Sequence, residues 1–243
     1  MEILLRDADA AHRGFRPLDA LARLDSLLMQ YPDSYGALWR AAREAVNLGM
    51  LAKEEENRKA WEEAAVAYAR RARATEPDGA EGLSWLAIAL GRQALDEGPQ
   101  AKVRLAVEIR ETALAALRVD SLNAAAHHVM GEWNAEICRI SGVERWLARN
   151  LLGGGVFSQA SWGAALYHLQ RSVELNPAGL IHHLDLARTY LDIGREQDAR
   201  RVLLGVLDRP AIEPVDPLHK RSAALLLLDG QTPDDSPGWE QRR

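Results

Sequence analysis

The stretch HHLDLARTYLDIGREQDARRVLLGVL, residues 182–207, decides the fold. Leu186, Ala187 and Tyr190 stand at i, i+1 and i+4, Gly194 interrupts the run, Ala199 lies in a second run, and Pro210 closes it. Helical spacing on both sides of a glycine, ended by a proline, predicts a helix, a turn, a second helix and a breaker.

The same punctuation recurs along the chain. LLMQYPDS ends at Pro32, RARATEPDG at Pro77 and SVELNPAG at Pro177, and Ser121 holds that place in ALRVDSLN. After the first breaker, Leu38, Ala41, Ala42, Ala45 and Val46 fall at i, i+3, i+4, i+7 and i+8, one face of a helix. Before Pro77, the residues Trp61, Ala64, Ala65, Tyr68, Ala69 and Ala72 form a stripe, with Glu, Arg and Lys opposite. Such a helix packs on one side only. A unit of two helices repeated along 243 residues is the signature of an all-α solenoid. Composition agrees: 47% of residues are hydrophobic, mostly Ala and Leu, with only two Phe and five Tyr to favour sheet.

Leu186, Ala187, Tyr190, Gly194 and Ala199 together resemble the tetratricopeptide pattern. Counted back from each breaker, Ala20, Ala65 and Ala165 fill the second-helix alanine place. Ala41-Ala42, Leu86-Ala87 and Met130-Gly131 fill the first-helix pair. Successive breakers lie 77−32 = 45, 121−77 = 44, 177−121 = 56 and 210−177 = 33 residues apart, against about 34 for a standard repeat. The excess of about eleven in the first two intervals amounts to three extra helical turns, so the helices there are expected to be long. The third interval carries an insertion.

Long repeats of this kind resemble the regulator of microtubule dynamics family. The likeness is carried by HHVMGEWNAEI (127–137), VERWLARNLLGG (143–154), SWGAALYHLQRSVELNP (161–177) and LDLARTYLDIGREQDARRVLL (184–204). It covers roughly residues 35–228, and the Arg- and Ala-rich composition is more like that of a bacterial relative. It implies an atypical tetratricopeptide array, and with the repeat spacing the expected domain is a solenoid of four to five hairpins over residues 1–228, with an insertion at 143–162. It also implies a non-enzymatic, protein-binding character. Residues 229–243, QTPDDSPGWEQRR with its flanks, read as a flexible tail.

In such arrays the first helices of successive repeats line the concave face. The positions this resemblance places there are Trp39, Arg43 and Asn47, then Ser84, Ile88 and Arg92, then His128, Glu132 and Glu136, then Leu184, Arg188 and Asp192. Ile88 and Leu184 are expected to pack between repeats. The predicted partner-binding set is Trp39, Arg43, Asn47, Arg92, His128, Glu132, Arg188 and Asp192, with Trp39 and the arginines as anchors. As exposed charges, the three arginines are expected to contribute little to folding. One His of each pair, His127-His128 and His182-His183, is expected to pack and the other to face the groove.

Other chemistry is absent from the sequence. The triple glycine in LLGGGVFSQASW, residues 151–162, lacks the lysine and the preceding strand of a phosphate loop. It reads as a joint, with Ser158 or Ser161 capping the next helix. There is no H-E-x-x-H, G-x-S-x-G or C-x-x-C, and the single Cys138 supports neither a disulfide nor a multi-cysteine zinc site. No enzyme activity, cofactor or metal is expected. A net charge of −5 opposes bulk nucleic-acid binding, although all but Lys53, Lys59, Lys102 and Lys220 of the 30 basic residues are Arg.

The expected function is a scaffold that holds a peptide or helix of a protein partner in the groove, as a monomer or weak dimer. The alternative is a peripheral membrane or lipid-binding adaptor using Trp146, Leu147, Leu151, Leu152 and Phe157, with Arg145 and Arg149 beside them. The N-terminal stretch MEILLRDADAAHRGF lacks a signal-peptide core, and the sequence has no run of about 18 apolar residues to span a bilayer. A cytoplasmic location is expected, and a leader removed upstream of Met1 is compatible with the same sequence.

Overall fold

The structure, a computed structural model, describes residues 2–140 and 155–229. All regular elements among them are helical: α1 (Glu2–Arg13), α2 (Pro17–Gln30), α3 (Tyr35–Leu51), α4 (Glu55–Thr75), α5 (Ala80–Gln93), α6 (Pro99–Val119), α7 (Ala124–Arg139), α8 (Trp162–Leu175), α9 (Leu180–Asp192), α10 (Glu196–Asp208) and α11 (Asp216–Asp229). Short 3₁₀ turns cover Ala94–Asp96 and Gly155–Gln159. Helices pack in sequential pairs, α1–α2 through α9–α10, and α11 closes the end. The array is an α-solenoid.

Each breaker does the same work. Tyr31, Glu76, Asp120 and Asn176 end their helices, and their carbonyls accept the N–H of Ser34, Gly79, Asn123 and Gly179 at 3.0, 3.0, 3.2 and 3.2 Å. Proline at the second place of three of these turns suits the fixed φ of a type I or II turn. Ser121 makes the same bond pattern without it. The next helix then starts at once, capped at α7 by the Asn123 side chain, which accepts from Ala126 N at 2.8 Å. Between α9 and α10 the turn falls on Gly194, at φ +74°, a left-handed conformation that glycine adopts without strain.

Alanines set the spacing between layers. Ala20, Ala41, Ala42, Ala65, Ala87, Ala165, Ala187 and Ala199, the places singled out by the repeat, are all fully buried. Gly131 takes the matching place on α7, where a Cβ would lie 2.5 Å from Leu169 Cγ of α8. The expected lengthening is also present, since α4 and α6 each run 21 residues whereas α9 and α10 run 13.

The amphipathic helix and glycine joint expected at 143–162 lie mostly outside the described residues, as do Trp146 and the tail after 229. What is described of the insertion is packed. Phe157 is 2% exposed and meets Trp133 edge-on at 6.0 Å. Ser161 caps α8 by accepting from Ala164 N at 3.1 Å, while its own N–H donates to Asn134 Oδ1 at 3.2 Å. Phe157 is therefore withdrawn from the membrane-facing set.

Gly131→Ala is expected to lower stability by about 1–3 kcal/mol through overpacking against α8. Gly91→Ala, at an α5 position with nothing within 4 Å of the added carbon, should be neutral or stabilising by up to about 1 kcal/mol. Urea melts of the two variants test the contrast, and equal effects would contradict it.

Candidate functional site

The helices α3, α5, α7 and α9 touch one another in succession, while α4, α6, α8 and α10 back them. This inner layer carries the twelve predicted positions. Ser84 and Leu184 are not groove-lining, being 0% and 1% exposed; the Ser84 hydroxyl bonds Ala80 O at 2.8 Å and lies 3.0 Å from Asn123 Oδ1. Ile88 packs on the central core, as expected. Asn47 is also buried, with its Nδ2 lacking a partner among the described residues. Both members of the pair His182-His183 are buried, where one was expected to face the groove. In the other pair, His127 is buried and His128 is half-buried on the inner face.

At the first repeat, α1 leans over the inner face of α3. Asp9 accepts from Arg40 Nε at 3.0 Å and Arg43 Nη2 at 3.1 Å, and both guanidiniums lie over the Trp39 ring, at 4.1 and 5.6 Å. Fully buried Glu44 accepts from Arg43 Nε at 2.7 Å and from His12 Nδ1 at 3.1 Å. The other nitrogen of His12 lies 2.9 Å from Glu213, in the loop before α11. Carboxylates only accept, so both ring nitrogens carry protons and His12 is an imidazolium. Burial alone would lower its pKa, but the bonds to Glu213 and Glu44 outweigh it and hold it at about 9. The array thus curls until its first helix meets the loop before its last.

The middle of the row is occupied by ion pairs. Arg92 Nη2 donates to Glu62 at 3.2 Å, and Arg58 joins Glu62 to Asp96. Glu62 is pushed up by burial, against the pull of Arg92 and Arg58.

The densest group lies between α7 and α9. His128 Nε2 donates to Asp185 Oδ2 at 2.8 Å, and Arg188 Nη1 donates to Asp185 Oδ1 at 2.9 Å. His128 also meets the His182 ring edge-on at 4.9 Å. One turn along, Arg139 Nη2 donates to Asp192 at 2.7 Å and Nη1 contacts Glu136. Burial raises the pKa of Asp185, but the His128 bond and the Arg188 charge overcome it and hold the carboxyl well below its ordinary range. Glu132 shows the opposite balance: burial and the Asp185 charge push it up to about 7, with Arg139, His128 and Arg188 pulling less strongly the other way.

The row is therefore not an exposed comb. The side chains of Arg43, Arg92 and Arg188 are 13%, 20% and 19% exposed and each is ion-paired. The expectation that they contribute little to folding is corrected, because reversing a part-buried paired charge leaves like charges together. Asp9, His12, Glu44, Glu62, Arg139 and Asp185 were missed. Spacing at i, i+3 linked Asp185 to Arg188 and Glu136 to Arg139 in the sequence, but nothing local tied α1 to residue 213.

Comparison with known proteins places the chain. A family model described as Regulator of microtubule dynamics protein 1-3 matches residues 4–229. The chain is 29% identical over 209 residues to Regulator of microtubule dynamics protein 1 of Pongo abelii, an alignment covering 84% of this chain and 66% of that protein. It is 23% identical over 222 residues to Regulator of microtubule dynamics protein 3 of Rattus norvegicus, covering 89% and 46%. It thus spans just under two-thirds of the first relative and under half of the second. A thermophilic TPR protein of Thermus thermophilus superposes with a TM-score of 0.62 at 20% identity, over 93% of this chain and 99% of that one. The chain belongs to the regulator of microtubule dynamics family, and its fold is a tetratricopeptide-type solenoid.

Two stability effects are expected. His12→Ala leaves buried Glu44 with Arg43 alone and should cost about 3 kcal/mol near neutrality. Because the folded pKa is above the unfolded value of about 6.5, this contribution is complete below pH 6.5 and disappears as pH rises through about 9. Arg43→Glu should likewise lower the melting temperature by bringing a third carboxylate to Asp9 and Glu44. Melts of wild type and both variants from pH 6 to 10 check this; a His12→Ala effect that stays constant across that range would contradict the assignment.

Proposed function

We propose that this member of the regulator of microtubule dynamics family is a non-enzymatic scaffold that holds a peptide or helix of a partner protein against the inner face of α3, α5, α7 and α9. One observation carries the reading. Among the described residues, seven buried side-chain atoms have no hydrogen-bond partner, and Asn47 Nδ2, Arg92 Nε, Glu132 Oε1 and Arg188 Nε are four of them. All four belong to the predicted partner-binding set. A buried polar group without a partner costs roughly 1–3 kcal/mol, so a folded protein keeps few of them without a use. Asn47 is sealed inside the array, but the other three atoms sit on the Arg92, Glu132 and Arg188 side chains, which stay 20%, 24% and 19% exposed, so a chain laid on this face can turn them outward and supply the missing bonds.

The ion pairs give this face alternating sign rather than one charge, which suits recognition of a patterned segment and not bulk attraction to a polyanion. No helix among the described residues is long and apolar enough to cross a membrane. The relatives' name, regulator of microtubule dynamics, makes a microtubule-bound protein one partner to test. The inner face, not the relatives' name, is the basis for the scaffold role.

A photo-crosslinking amino acid placed at Trp39, half-buried on the inner face, is expected to form adducts with a partner in host extract. The same probe at Tyr167, 61% exposed on α8, should form none. Adducts from position 167 alone would move the interaction to the outer surface.

A further inference from the structure

We infer that the inner face between α7 and α9 is a receptor for a cation, a lysine ammonium or arginine guanidinium of the bound segment, seated against Glu132. The inference rests on the scaffold reading and specifies the chemistry of its ligand.

Glu132 faces three cationic side chains, and each is committed elsewhere. His128 bonds Asp185 at 2.8 Å, Arg188 bonds Asp185 at 2.9 Å, and Arg139 bonds Asp192 at 2.7 Å while also touching Glu136. The nearest approach of any of them to Glu132 is 3.8 Å, from Arg139 Nη1 to Oε2, too long for a hydrogen bond. Oε1 is shielded from solvent and has no partner among the described residues. Glu132 is therefore the one carboxylate of the described group without a donor of its own, next to an Asp185 that holds two. The Glu132 side chain as a whole is 24% exposed, so a ligand on the inner face reaches the carboxylate from that side and draws Oε1 outward as it binds.

Charge selects the occupant. A ligand carboxylate would meet Glu132, Glu136, Asp185 and Asp192 with Arg139 and Arg188 already engaged, so an acidic terminus is excluded. A neutral donor would satisfy one oxygen but leave the charge uncompensated in a part-buried site, which is costly. An ammonium or guanidinium supplies both the donors and the charge, and Arg does so with two parallel bonds.

Burial and the Asp185 charge favour the protonated form of Glu132 in the empty site. Glu132 titrates near pH 7 because of burial and of Asp185; His128 and Arg188 from α7 and α9, Arg139 beyond them, the His182 ring against His128, and His219 of α11 near Asp185 complete its surroundings. A cation entering displaces that proton, so affinity should rise with pH up to about 7 and level off above it.

The test uses the full chain and a displayed library of random 15-residue peptides selected at pH 8, with the enriched peptides then synthesised as probes. The expected peptides share a Lys or Arg. Replacing that residue by norleucine should weaken binding at least tenfold, and Glu132→Gln should erase the difference while preserving the remaining affinity. Calorimetry of wild type in two buffers of different ionisation enthalpy at pH 7 should show net proton release on binding, the direction expected when a cation displaces the proton that burial and the Asp185 charge favour on Glu132. This measurement stands even where Glu132→Gln fails to fold. Enriched peptides without a basic residue, a basic residue whose effect survives Glu132→Gln, or no proton release would overturn the cation site and leave the scaffold reading intact. No enrichment over a heat-unfolded control would overturn both.

Discussion

The close approach of neighbouring helices, made possible by side chains no larger than a methyl group, is the constraint on which the rest of the structure depends. Ala41, Ala42, Ala87 and Ala187 on the first helices, with Ala65, Ala165 and Ala199 on the second, are buried to the last atom. At α7 even a methyl group is too large, because Leu169 of α8 occupies the space a Cβ would need above Gly131. Packing interiors at this density leaves no slack, so each hairpin hands its orientation to the next. The turns after Leu27, Ala72, Ala116 and Ser172 reinforce this by repeating one hydrogen-bond pattern whatever the residue at their second place.

A regular stack has a geometric consequence for charge. Four first helices brought side by side turn their polar stripes toward a common interior, where water is scarce and a lone charge is expensive. The protein answers with carboxylates and guanidiniums shared between helices: Asp9 and Glu44 with Arg43, Glu62 with Arg58 and Arg92, Asp185 with His128 and Arg188. These pairs compete with the idea of a surface lined by free anchors. Trp39, under two guanidiniums, shows the same competition. The pairing leaves out particular atoms rather than whole residues.

Closure of the curl by His12 links this interior to the ends of the array. An imidazolium between Glu44 and Glu213 joins residues about 200 positions apart in the chain. Its elevated pKa keeps the contact charged across the neutral range, so the inner face is walled by α1 on one side. Access to that face is then set as much by the terminal elements as by the repeat itself.

Much of the fold was legible because it is written in local periods. The spacing of Leu186, Ala187, Tyr190, Gly194 and Ala199 defines one hairpin, and the breakers at 32, 77, 121 and 177 repeat it in register. The excess of about three turns in two intervals corresponds to the 21-residue α4 and α6. Which helices stack into one layer was also legible, since a repeat alternates the two helices of each hairpin. Exposure along the inner row was not. Ser84 and Asn47 occupy groove positions by count yet are buried, and Arg43, Arg92 and Arg188 are paired with residues 34, 30 and 3 positions away. What the sequence determined by itself was the all-α repeat architecture and the alternation of the two helices of each hairpin, because periodicity and breakers act within a few residues. The tertiary structure alone decided which charges are neutralised across helices, which carboxylate is left without a hydrogen-bond donor and that His12 meets Glu213, because those depend on distances between helices that no local spacing encodes.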